Sequence, residues 1–123
     1  MRCDSYQRQV KVNVSIIMAT EPTGNVGTKL LFENERIRVW DLALQPGEAL
    51  EKHVHHEDYV FIVLEGGSLV HVDDEDAGKD VAVHYTTDQV VWLEAGEGLV
   101  HNKLVNVGDK PYRNLVIELK AAS

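Results

Sequence analysis

The chain has 123 residues, 44% of them hydrophobic, which suffices for one core and is small for two domains. Twelve basic residues against 20 acidic ones give a formal charge of −8, which repels phosphate backbones and anionic headgroups and argues against nucleic acid or a membrane surface as partner. A single cysteine, Cys3, forms no internal disulfide framework. No apolar run approaches the ~20 residues of a spanning helix, and no secretory signal core is evident, so a cytoplasmic protein is expected.

Residues 1–27 differ in character from the rest. The stretch Met18-Ala-Thr-Glu-Pro-Thr-Gly would serve as a natural start, so the opening residues are expected to form an extension outside the core. Within it Val10, Val12, Val14 and Ile16 alternate with polar residues, the period of a half-buried strand, which needs an edge to pair with, such as a partner subunit's. From Thr28 onward no helical period is sustained. Short strands are expected at 28–33, 35–44, 50–55, 58–65, 67–73, 80–86, 89–94, 99–107 and 112–120, separated by turn-forming residues such as Gln45-Pro46-Gly47, Gly66-Gly67 and Gly108-Asp109-Lys110-Pro111. That spacing argues for an all-β sandwich or barrel, a single domain over residues 28–120. The acidic run Asp73-Asp74-Glu75-Asp76 lacks the spaced ligands and closing Glu of a calcium loop and reads as a solvated hairpin tip.

The chemistry concentrates in Glu51-Lys-His-Val-His-His-Glu-Asp-Tyr-Val60. Residues two apart on a strand share a face, so His53 and His55 converge on one side while Val54 and His56 point to the other. A convergent imidazole pair is what a first-row metal needs. By the same parity Tyr59, Phe61 and Val63 face inward. Val60, Ile62 and Leu64 on the other face are equally apolar, the mark of a second sheet or a subunit interface. His56 is expected outward, at solvent or an interface; His71 and His84 are read as ordinary strand residues that would enter the pocket only if the register slips by one; and Trp40 and Trp92 are read as core anchors, Trp92 near the barrel mouth.

The surroundings of the pair carry a resemblance. Gly47 stands six residues before His53, Tyr59 four after His55, and Gly66 seven after Tyr59; Gly98-Leu-Val-His101 follows after an intervening hairpin. This resembles the two motifs of the cupin superfamily: Gly, five residues, His-x-His, three or four residues, Glu, six residues, Gly; then Gly, five residues, Pro-x-Gly, two residues, His, three residues, Asn. The sequence looks most like the small single-domain cupins. Tyr59 occupies the position of the family's glutamate, Gly96 that of its proline and Val90 that of its opening glycine. Asn106 comes one residue late after His101.

The resemblance implies an antiparallel β-barrel of jelly-roll type, a mononuclear metal site in its mouth held by His53, His55 and His101, and often a homodimer. Three neutral imidazoles leave the +2 charge of a divalent ion undiminished, which favours a small anionic, chelating substrate. Among cupins such sites hold iron in diketone and thiol dioxygenases, so Fe(II) is favoured over Zn, Ni, Cu or Mn, with dioxygenase-like chemistry and Tyr59 as a catalytic hydrogen-bonding group. The competing readings are a non-oxidative metal-dependent isomerase or lyase and a non-catalytic small-molecule-binding cupin.

Overall fold

The computed structural model describes residues 24–121. Its strands are β1 (Lys29–Glu33), β2 (Ile37–Leu44), β3 (Ala49–Leu50), β4 (His53–His55), β5 (Asp58–Glu65), β6 (Gly67–Val72), β7 (Val81–Tyr85), β8 (Val90–Leu93), β9 (Leu99–His101), β10 (Lys103–Asn106) and β11 (Tyr112–Leu119), with one 3₁₀ turn at Ala77–Lys79. They form a five-stranded sheet in the order β1-β2-β11-β5-β8, a four-stranded sheet β3-β10-β6-β7 and a two-stranded ribbon β4-β9. Together these make the antiparallel jelly-roll barrel expected for this chain. Among the described residues no helix is long and apolar enough to cross a membrane.

The five-stranded sheet follows from alternation. β11 pairs along its whole length with β2, from Tyr112 opposite Leu44 to Leu119 opposite Ile37, and on its other side with β5. Inward positions are Trp40, Leu42 and Leu44 on β2, Tyr59, Phe61 and Val63 on β5, and Tyr112, Asn114, Val116 and Glu118 on β11, all buried. Removing a side chain such as Leu44 or Val63 from water contributes about 1.5–3 kcal/mol. Glu118 is tolerated in this core because it accepts from Trp40 Nε1 at 2.7 Å and from Arg38 at 3.0 Å.

Local chemistry closes the turns. Asn34 Oδ1 accepts the backbone N–H groups of Arg36 and Ile37, both at 2.8 Å, which reverses the chain between β1 and β2. Asp73 Oδ1 does the same for Glu75 and Asp76, so the acidic tip is bound to its own backbone. Gly66 is required between β5 and β6, since a Cβ there would lie 2.4 Å from the Tyr85 carbonyl oxygen.

Two expected strands are each divided. Residues 50–55 break at Glu51-Lys52, and 99–107 break at Asn102, because the chain changes sheets at both points. The parts 53–55 and 99–101 pair with each other, while 49–50 pairs with β10. Across Asn102 the inward parity changes from odd to even, which brings Asn106 inside. There Asn106 is 1% exposed and donates from Nδ2 to the carbonyls of Leu44 and Lys110, both at 2.9 Å. Trp92 is the other departure: on β8 it is Val91 and Leu93 that pack on the core, and Trp92 faces out, 49% exposed. Of the expected extension 1–27, residues 1–23 lie outside the described residues; Val26 packs into the barrel core, 1% exposed.

Candidate metal centre

The ribbon explains the convergence of histidines. β4 pairs with β9 so that His53 lies opposite His101, Val54 opposite Val100 and His55 opposite Leu99. Alternation along β4 and direct pairing across the ribbon therefore send three imidazoles inward. Gly98, at φ +130°, begins β9 from a conformation that disfavours a side chain. Ring centroids are 5.0 Å apart for His53 and His55, 5.3 Å for His53 and His101, and 4.8 Å for His55 and His101. One ring nitrogen from each lies within 4.8 Å of the others. Among the described residues no carboxylate joins this cluster.

The rings are neutral at physiological pH. Burial pushes the His55 imidazole down to about 3, helped by the neighbouring His53 and His101. His101 falls to about 4, by burial first and then by the neighbouring His53 and His71, and burial also lowers His53. Since a carbonyl only accepts, His53 Nδ1–H donates to the Glu51 carbonyl at 3.0 Å, which leaves the lone pair on Nε2. His55 is 2% exposed and its Nδ1 has no hydrogen-bond partner among the described residues. Unprotonated, convergent and incompletely satisfied, the three rings fit a first-row divalent metal ion.

Tyr59 projects inward from β5 as its parity demands and is 2% exposed. Its ring stacks on His55 at 3.8 Å and 9°, and its hydroxyl lies 3.4 Å from His101 Nε2. Burial raises the phenol well above its ordinary range, so it keeps its proton. Glu57, the nearest acid in sequence, is turned away and accepts the Ala121 backbone N–H at 3.3 Å. His56 is exposed, as expected, and His84, also exposed, meets Ser68 Oγ at 3.0 Å.

The triad and Tyr59 stand on the wall of a cavity of about 140 Å³, otherwise lined largely by apolar side chains including Leu42, Phe61, Leu93, Leu104 and Val116. That is close to the ~150 Å³ that accepts a benzene-sized molecule. His71, expected as an ordinary strand residue that would enter the pocket only on a one-residue slip of register, lines this cavity and lies 5.8 Å from His101 between ring centroids. Its signal was its parity with Leu69, which is fully buried. Asn114, Tyr112 and Tyr85 also line the cavity and were not singled out, because no motif marks them.

Residues 40–118 match the family model described as the cupin domain. None of the curated proteins matches the chain. Among solved structures, a cupin domain from Bordetella pertussis Tohama I is similar with a TM-score of 0.64 and 25% identity, covering 82% of this chain and 98% of that one. A cupin 2 conserved barrel domain protein from Salinispora arenicola CNS-205 gives a TM-score of 0.55 at 17% identity, covering 91% of this chain and 92% of that one. An RmlC-like cupin family protein with a double-stranded β-helix fold from Methanocaldococcus jannaschii also gives 0.55 at 17% identity, with 89% and 90% covered. The last two are likenesses of fold.

Proposed function

From the premise that the chain belongs to the cupin domain family, we propose that it is a metal-dependent enzyme acting on a small anionic substrate, with His53, His55 and His101 as ligands and dioxygenase-like oxidation as its chemistry. The observation that carries this reading is the convergence of three neutral imidazoles, His53 and His55 buried and His101 half-buried, with Tyr59 where the family motif has a carboxylate. A bound divalent metal would supply Lewis acidity and, as Fe(II), a route to dioxygen. With no carboxylate in the ligand set, charge neutralisation falls to the substrate, which favours a chelating acid or enolate.

The chain's own residues do the rest. The apolar walls bind the substrate's carbon body and exclude water. Stacking on Tyr59 fixes the plane of His55, and the Glu51 carbonyl fixes the tautomer of His53. The Tyr59 hydroxyl, held protonated beside His101, would donate a hydrogen bond to a substrate oxygen in the cavity.

Metal analysis of untagged protein, followed by oxygen uptake with candidate chelating acids and diketones, tests the reading. Near-stoichiometric iron with substrate-dependent oxygen consumption is expected. Zinc or nickel with turnover indifferent to anaerobiosis would replace it with isomerase or lyase chemistry, and the absence of metal after reconstitution would leave a ligand-binding cupin.

We also propose a homodimer in the cytoplasm. The outer face of the five-stranded sheet supports it: Val90 and Trp92 are 62% and 49% exposed, beside the half-buried Val60, Ile62 and Leu64. The alternating segment 10–16 is suited to add a strand to a partner's edge. A monomeric mass in solution would overturn the dimer.

A further inference from the structure

The far end of the cavity contains a polar group with nothing to bind. Asn114 is 4% exposed, lines the cavity, and donates from Nδ2 to the Tyr112 hydroxyl at 2.7 Å, while its Oδ1 has no hydrogen-bond partner among the described residues. A buried acceptor left unsatisfied is costly and uncommon in a folded chain. Tyr112, 1% exposed, accepts from Asn114 through its oxygen and so retains its own O–H for donation. One acceptor and one donor therefore stand side by side, with the Tyr85 ring 6.2 Å from that of Tyr112 and apolar side chains making up the rest of this part of the wall.

The strand register locates this pair relative to the histidines. On β11, Glu118 lies opposite Tyr59 and Asn114 opposite Val63. Four residues at ~3.3 Å set Asn114 about 13 Å along β11 from the level of Tyr59, a distance shortened by the inward reach of the side chains. Phe61 and Val116, paired in register between those levels, make the intervening wall apolar. The cavity thus runs from an imidazole end through an apolar middle to an amide and phenol end.

We propose that Asn114 Oδ1 and the Tyr112 hydroxyl form a specificity subsite that reads a hydroxyl or primary amide at the end of the substrate remote from its anionic head. This rests on the reading of the cavity as the substrate site. The substrate class narrows to a compact chelating acid with a benzene-sized or smaller apolar body and a terminal hydrogen-bond donor. A hydroxyl satisfies both protein groups at once, accepting from Tyr112 and donating to Asn114; a methyl in its place leaves both unpaired.

Phenol and toluene are the probes, matched in size and differing in the donor. Binding of each to the full metal-free chain is measured by ligand-observed NMR titration, for the wild type and for Asn114→Leu. Phenol binding at least about tenfold tighter than toluene is expected in the wild type, with the preference lost or reversed in Asn114→Leu. Equal binding of the two by the wild type, exclusion of both, or a phenol preference that survives Asn114→Leu overturns the subsite. The wild-type comparison decides even if the variant does not fold. A parallel titration of mandelate and 4-hydroxymandelate, with and without added Fe(II) under anaerobic conditions, separates this inference from the one beneath it. A preference for the hydroxylated acid that is independent of metal sustains the subsite while counting against anion capture at the triad; an Fe(II)-dependent gain shared by both acids, with no difference between them, does the reverse.

Discussion

The β4-β9 ribbon and the five-stranded sheet are built from the same alternation and serve opposite ends. In the sheet, strands of eight residues pair without interruption along β2 and β11 and send Trp40, Leu42, Leu44 and Val116 inward. In the ribbon, strands of three residues send His53, His55 and His101 into the same interior. The sheet gains free energy from its inward apolar positions. The ribbon places desolvated imidazoles where leucines would be more stable, a cost the rest of the barrel offsets. Stability and chemistry are thus assigned to different strands, and each assignment can be broken separately.

The sharpest break is His53→Ala with His55→Ala. Bound metal should fall to background by elemental mass spectrometry while the thermal midpoint of the metal-free protein holds or rises; a collapsed fold would show that the ribbon is structural. Leu44→Ala should do the converse. It should cost about 2–5 kcal/mol in urea unfolding, with metal per folded molecule unchanged; metal loss in folded material would couple the two regions.

Tyr59→Phe probes the one side chain that the sheet lends to the ribbon. Turnover should drop by at least about tenfold with metal content near normal, and unchanged turnover would return Tyr59 to the core. The mildest perturbation is pH. Because the folded imidazoles titrate below the ordinary 6.5, at about 4 for His101 and about 3 for His55, the unfolded chain binds more protons in that window. Stability of the metal-free protein is therefore full above pH 6.5 and is lost as pH falls toward 4 and below. The His53→Ala/His55→Ala variant should lose less over the same range, and an equal loss would place the acid sensitivity elsewhere.

Much of this was legible in the sequence, for reasons that differ by residue. His53 and His55 share one parity within β4, and Tyr59, Phe61 and Val63 one within β5, and parity survives folding within an unbroken strand. The exchange of sheets at Glu51-Lys52 and at Asn102 was not legible, because a hydrophobic pattern says which face is inward and not which strand is the neighbour. Trp92 was read as core on its size alone, whereas Val91 and Leu93 take the inward places on β8. Asn114 escaped notice because an amide among alternating apolar residues looks like any polar strand residue until its oxygen is seen to lack a partner.

The order of the five-stranded sheet governs how the chain can come to be folded. β11, the last strand in sequence, lies in the middle of that sheet, between β2 and β5. A growing polypeptide that has already exposed β1 through β10 still lacks the strand against which β2 and β5 must close, and it carries all three histidines without a barrel to hold them. Formation of the sheet must therefore await β11, through pairings as distant in sequence as Leu119 with Ile37, which makes folding slow for a chain of this size. A metal ion at the triad would then be captured late, once β11 has closed the sheet.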